Sequence, residues 1–79
     1  MKKQTLTINN LEDLIVKDVR RRQYCENFSS IQLYRSDAQP GTNWIPGTIA
    51  NFGGSSEMHC EAALREIIPR LQKQYDVSD

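Results

Sequence analysis

The sequence lacks the features that mark membrane, secreted and disulfide-rich proteins. None of its apolar runs approaches the roughly 20 residues that a membrane-spanning helix needs, and the N-terminus leads into no apolar signal segment. Two cysteines, Cys25 and Cys60, are too few for a disulfide scaffold or a four-cysteine zinc site. We therefore expect a cytoplasmic protein with free thiols, without a membrane contact, a bound metal or another cofactor.

Neither sign of charge is in excess. Ten Lys and Arg residues balance ten Asp and Glu residues, so the total charge implies no polyanionic partner and no acidic substrate. A chain of 79 residues forms a single domain with one core, and folding buries only about 60% of its unfolded surface. These limits favour one small α+β domain, residues 1–79, of modest stability.

The strongest pattern in the chain is a helical apolar stripe between residues 55 and 75. Gly53 and Gly54 precede it, and Ser55 or Ser56 is predicted to cap its first turn. Pro69 lies opposite the stripe, where it either bends the helix or breaks it into two. The residues of the stripe recur three or four positions apart: Cys60, Ala63, Leu64, Ile67, Ile68, Leu71 and Tyr75.

The first part of the chain predicts a strand followed by a helix. Residues 3–8 alternate between polar and apolar side chains, which is typical of a short strand. Asn9 and Asn10 then provide a turn and an N-cap. From Leu11 the apolar spacing becomes helical, and we place this helix at about 11–24.

The middle of the chain predicts a β-hairpin. Residues 30–35 and 43–52 form its strands, and Pro40-Gly41 suits a type II turn between them. Pro46-Gly47 is tolerated badly in a central strand, so the second strand is an edge strand there or carries a bulge.

These elements predict a βαββα fold with a three-stranded, antiparallel-type sheet and two helices on one of its faces. A stripe as wide as that of the last helix needs such a sheet or another helix to cover it. The predicted core contains Leu6, Ile8, Leu11, Ile15, Val19, Ile31, Leu33, Ile49, Leu64, Ile67, Ile68 and Leu71.

The hairpin carries a candidate site for a protein partner or for self-association. Tyr34, Trp44 and Phe52 belong to its strands, and large aromatic residues dominate the binding energy of protein interfaces. If the helices cover the face of Ile31 and Leu33, Tyr34 stands on the open face. The alternative is that Trp44 completes the small core.

The first helix carries a candidate site for nucleic acid. Lys17, Arg20, Arg21 and Tyr24 fall on one side of it, where basic groups bind phosphates and an aromatic ring stacks on a base. A structural explanation competes with this one, because arginines near a helix C-terminus complement the helix dipole. Pairing of Asp18 with Arg22 would further neutralise the group.

Two smaller groups have structural explanations that we prefer. Residues 53–56 join a strand to a helix N-terminus, where anions bind, but their spacing fits no phosphate-binding motif. His59 and Cys60 are adjacent, so their side chains diverge by about 100° on a helix and cannot act as base and nucleophile together. Cys25 and His59 belong to no paired zinc spacing.

The sequence therefore predicts a non-catalytic binding module that contacts another protein, or a second copy of itself, through the hairpin. Binding of nucleic acid by the first helix is the alternative. No motif points to an enzyme.

Overall fold

The computed structural model describes residues 3–78 of the chain and confirms the α+β class. None of the helices in this range is both long enough and apolar enough to cross a membrane. The elements follow in the order β1 (Gln4–Leu6), α1 (Ile8–Arg20), β2 (Ser30–Arg35), β3 (Trp44–Asn51), α2 (Glu57–Gln74) and β4 (Tyr75–Val77).

The strands form two separate two-stranded sheets, so the predicted three-stranded sheet is wrong. β2 pairs antiparallel with β3, whereas β1 pairs in parallel with β4, Thr5 lying opposite Asp76. The sequence prediction contains no β4 because Tyr75 continues the apolar stripe of α2. At Tyr75 the backbone nevertheless becomes extended, with φ −134° and ψ 141°. The side chains of Tyr75 and Val77 both favour strands.

Helix α1 begins and ends earlier than the sequence predicts. Thr7 is its N-cap, and the Thr7 hydroxyl accepts the backbone N–H of Asn10 at 3.2 Å. Asn9 and Asn10 therefore lie inside the first turn. The helix ends at Arg20, so the residues up to Tyr24 form turns instead of helix.

Helix α2 matches its predicted range closely. Ser56 is the N-cap, and its side chain accepts the backbone N–H of His59. The helix continues through Pro69, so the alternative of two separate helices is wrong. Pro69 is exposed, as its position opposite the apolar stripe predicts.

The hairpin contains the irregularity that Pro46-Gly47 predicts. Leu33 lies opposite Pro46 and Ile31 lies opposite Ala50, so β3 uses two more residues than β2 between these pairs. Ala50 shares a face with its partner Ile31, so the neighbouring Ile49 lies on the opposite, outer face of the hairpin. Ile49 is consequently 64% exposed, and its predicted place in the core is wrong.

The helices do not share one sheet face as predicted. Helix α1 packs on β2, while α2 packs on α1 and β4. Leu6, Ile8 and Leu64 are partly buried at the edge of the core. The predicted core residues that are buried are Leu11, Ile15, Val19, Ile31, Leu33, Ile67, Ile68 and Leu71, and they are joined by Cys25, Phe28, Trp44, Cys60, Ala63 and Val77.

Candidate functional site

Trp44 belongs to the core and not to an exposed surface. Its side chain is fully buried, and the indole N–H donates to the carbonyl oxygen of Tyr75 at 2.9 Å. The alternative that places Trp44 beside Tyr34 on an open face is therefore wrong. The physical reason is that β4, absent from the predicted fold, covers the start of β3 and provides an acceptor for the indole.

The other two aromatic residues of the predicted partner site lie apart. Tyr34 is 45% exposed on the outer face of the hairpin, where its ring covers the Cα of Gly47 and its hydroxyl donates to the Gln32 side chain. Phe52 is half-buried and packs edge-on against Phe28, with ring centroids 5.7 Å apart. The three residues therefore do not make one surface.

The predicted basic site does not lie on a single helix face, because Tyr24 follows the end of α1 and has a positive φ of 70°. Arg20 donates from Nε to the carbonyl oxygen of Phe28 at 2.7 Å and so holds the turn after the helix. Arg21 lies 3.9 Å from Asp18, while Lys17 is exposed.

The proposed pairing of Asp18 with Arg22 is not formed. Asp18 binds Arg70 of α2 at 3.1 Å, and Arg22 binds Glu66 of the same helix at 2.7 Å. Charges of α1 and of the turn after it therefore connect the two helices, which leaves fewer of them free to bind phosphate.

A small polar cluster surrounds the start of α2. The backbone N–H groups of Ser55 and Ser56 donate to the carbonyl oxygens of Phe52 and Tyr24, so both are already hydrogen-bonded within the protein. The Ser56 hydroxyl lies 2.8 Å from Nδ1 of His59, and the Tyr24 ring packs on the His59 ring at 4.6 Å. The sequence did not reveal this Ser–His contact, which the N-cap geometry explains.

Cys25 and Cys60 are brought together in the core. Both side chains are fully buried and carry free thiols. Burial, together with a hydrogen bond to the Cys25 side chain, raises the pKa of the Cys60 thiol from 9.0 to about 12. A thiol that resists ionisation is a poor nucleophile and a poor metal ligand. Residues 3–78 contain no group of three or more His, Cys, Asp or Glu side chains placed to bind a metal ion.

An apolar cleft of about 710 Å³ separates β3 from α2, and we call it the β3–α2 cleft. It exists because α2 lies on α1 and β4, which leaves the inner face of β3 uncovered beyond Trp44. The cleft is lined by Ile31, Pro46, Gly47, Thr48, Ala50, Phe52, Glu57, Glu61, Leu64, Arg65, Ile68 and Pro69.

Polar and apolar residues of the β3–α2 cleft occupy different depths. The buried and half-buried side chains that line it are all apolar, namely those of Ile31, Ala50, Phe52, Leu64 and Ile68. The polar side chains that line it, Thr48, Glu57, Glu61 and Arg65, are all exposed. Phe52 is the one predicted partner-binding residue that lies in this cleft.

The strand edges of the hairpin are partly closed to additional strands. The Glu12 carboxylate accepts the backbone N–H of Leu33 at 2.9 Å on β2. On β3, the carbonyl oxygen of Trp44 accepts from the buried Gln72 side chain at 3.0 Å, and Pro46 has no N–H to donate. Side chains that cover an edge in this way oppose strand addition.

No protein-family model, curated protein or solved structure matches this chain.

Proposed function

We propose that the protein is a non-catalytic binding module that holds a segment of a protein, through apolar side chains of that segment, in the β3–α2 cleft. The observation that carries this proposal is the apolar floor between β3 and α2, which no element of residues 3–78 covers. Grooves of this kind bind apolar faces of partner helices or peptides. The proposal keeps protein binding as the function and moves the contact from the outer face of the hairpin to its inner face.

The distribution of polar groups favours a protein segment over a small molecule. Small-molecule sites combine an apolar lining with a few polar groups placed inside the pocket to orient the ligand. In the β3–α2 cleft the polar side chains lie only at the exposed rim. Burial of apolar side chains against Ala50, Leu64 and Ile68 provides the binding energy, at roughly 25 cal/mol per Å² of apolar surface removed from water.

The partner is held by side chains and not by continuous strand addition. Trp44 already accepts a hydrogen bond from Gln72, and Pro46 offers no donor. These two positions occupy the first part of β3, so an added strand has access only to its later residues.

Selection of a binding peptide tests the proposal. A phage-displayed library of random 12-residue peptides is selected on the immobilised protein, and the best peptide is titrated against purified variants. Ala50→Gln fills the cleft with a neutral side chain, and Tyr34→Gln is the matched neutral change on the outer face of the hairpin.

We expect Ala50→Gln to weaken peptide binding at least about tenfold, equivalent to about 1.4 kcal/mol, and Tyr34→Gln to leave it unchanged. The reverse result would place binding on the outer face. Circular dichroism melts establish that both variants are folded at the temperature of the titration.

A further inference from the structure

We propose that the segment held in the β3–α2 cleft is α2 of a second copy of this chain, so that the protein forms a two-fold symmetric dimer with antiparallel α2 helices. This inference rests on the proposed function and names the partner. It is drawn from the pattern of charge and exposure along the cleft side of α2.

The charged side chains on the cleft side of α2 form no salt bridge among residues 3–78. Glu61 and Arg65 line the cleft, and neither takes part in the four salt bridges found among residues 3–78. On the other side of the same helix, Glu66 binds Arg22 and Arg70 binds Asp18. Glu66 and Arg70 are therefore paired with residues of α1 and the turn after it, whereas Glu61 and Arg65 take part in none of these salt bridges.

The two cleft charges are self-complementary. They have opposite sign and stand four residues apart, about 6 Å along the helix axis. A two-fold axis that crosses α2 at Ala63 places Glu61 of each copy beside Arg65 of the other. Symmetric interfaces require such a pattern, because the same patch of surface meets itself.

Met58 provides the apolar part of the same contact. It is 73% exposed, the largest exposed fraction among the large hydrophobic residues of the described range. At 100° per residue, positions 58, 61, 65 and 69 fall within an arc of about 80° on α2. The axis at Ala63 sets Met58 of one copy opposite Ile68 of the other, at the end of the cleft. An unbranched, flexible Met side chain suits an irregular apolar cleft.

A second copy fits these charges better than a basic partner does. A basic segment would pair with Glu57 and Glu61 but would approach Arg65 with charge of the same sign. An antiparallel α2 offers an acidic group to Arg65 and a basic group to Glu61 at once. Opposed charges of this kind set the orientation of an interface more than its affinity.

Charge exchange tests the dimer. Sedimentation equilibrium at low salt measures self-association of the wild type, of Glu61→Arg and of Arg65→Glu. Each single variant opposes like charges at both symmetric positions, and we expect its dimer to be at least about tenfold weaker, a change of about 1.4 kcal/mol. An equimolar mixture of the two variants restores both opposite-charge pairs, and we expect it to form a heterodimer.

Matched controls separate this contact from general charge effects. Asp37→Arg and Arg35→Glu make the same changes of charge on exposed residues of the hairpin, away from the cleft, and should leave the association constant unchanged. Met58→Gln should weaken the dimer without lowering the melting temperature of the monomer. The proposed arrangement is overturned if the mixed cleft variants do not associate. It is also overturned if the hairpin variants weaken the dimer and the cleft variants do not.

The selected 12-residue peptide distinguishes the two proposals. A dimer that dissociates when the peptide is added in excess supports both, because the peptide and α2 compete for one cleft. A wild-type chain that stays monomeric at millimolar concentration but binds the peptide in the cleft overturns the dimer and supports the binding module. A monomer for which no cleft-binding peptide can be selected overturns both.

Discussion

The indole N–H of Trp44 donates to the carbonyl oxygen of Tyr75 at 2.9 Å, so the first residue of β3 holds the residue at which α2 becomes β4. Asn43 strengthens this junction, because its side-chain amide donates to Val77 and accepts from the backbone N–H of Val77, both at 2.9 Å. The hairpin is thereby attached to the C-terminal elements at its start. Beyond this attachment the β3–α2 cleft lies between the two elements.

Replacement of Trp44 should therefore destabilise the fold. We expect Trp44→Ala to cost about 3 to 5 kcal/mol, as large-to-small changes of buried aromatic residues do. Trp44→Phe keeps most of the apolar volume but leaves the Tyr75 carbonyl without its donor, which costs about 1 to 3 kcal/mol. Urea denaturation followed by circular dichroism measures both values.

Tyr34→Phe is the control for the loss of a polar group from an aromatic ring. The Tyr34 hydroxyl donates to the Gln32 side chain at an exposed position, so its removal should alter the free energy of unfolding by less than about 0.5 kcal/mol. Equal effects of Trp44→Phe and Tyr34→Phe would contradict the role assigned to the Trp44 indole.

The local elements of the fold could be predicted from periodicity and caps, while their arrangement could not. The stripe of α2, the strand at residues 30–35 and the irregularity at Pro46-Gly47 depend on neighbouring residues, and all three were predicted. β4 pairs with β1 across almost the whole chain, and Tyr75 fits the end of the helix equally well. A parallel pair between the two termini has no signal in local sequence.

The candidate site could not be predicted from the sequence for the same reason. The β3–α2 cleft arises because α2 packs on β4 and not on β3. The sequence prediction contained no β4 and so could not include this packing. Trp44 illustrates the difficulty at one residue, since its burial requires Tyr75 and Gln72 as partners. Phe52 lies in the cleft, as one of the three predicted partner-binding residues, but no local pattern in the sequence places α2 opposite it.

Arg20 and Arg21 should differ in their contribution to stability. Arg20 donates to the partly buried carbonyl of Phe28, so Arg20→Ala should cost about 1 to 3 kcal/mol. The Arg21 side chain is 81% exposed and meets Asp18 only at 3.9 Å, and its loss should cost less than about 0.5 kcal/mol. Urea denaturation measures both.

The same variants test the nucleic-acid alternative. If Lys17, Arg20 and Arg21 bind phosphates, the affinity for a nucleic acid falls steeply as the salt concentration rises. Each of the variants Lys17→Ala, Arg20→Ala and Arg21→Ala then lowers the slope of log affinity against log salt by about one contact. We expect no such binding at physiological salt. A micromolar complex with duplex or single-stranded nucleic acid would favour the alternative.

The Cys60 thiol should make stability sensitive to alkaline pH. Because burial raises its pKa from 9.0 to about 12, the folded protein keeps a proton that the unfolded chain releases. The contribution of the Cys60 thiol to the free energy of unfolding is complete below pH 9 and is lost as the pH rises from 9 towards 12. Within this range the free energy of unfolding should fall by up to about 1.4 kcal/mol per pH unit from this group.

Cys60→Ala provides the comparison, since lysine and tyrosine groups titrate in the same range in both proteins. Urea denaturation between pH 8 and pH 11 should give a steeper decline for the wild type than for the variant. Parallel declines would mean that the thiol ionises as readily in the folded protein as in the unfolded chain.

Gly53 and Gly54 differ in what surrounds them, and their alanine variants should differ accordingly. Both have a positive φ, 60° and 88°, and an L-residue in this conformation costs about 1 to 2 kcal/mol. At Gly54 an added Cβ meets open space, so Gly54→Ala should cost only this conformational term.

At Gly53 the Cβ would collide with the backbone carbonyl of Asn27, which cannot rotate away as a side chain would. Gly53→Ala must therefore displace the turn that carries Phe28 into the core, and we expect it to be the more destabilising variant by at least about 1 kcal/mol, the scale of an overpacked site. Equal melting temperatures for the two variants would show that the approach of Gly53 to Asn27 does not constrain the fold.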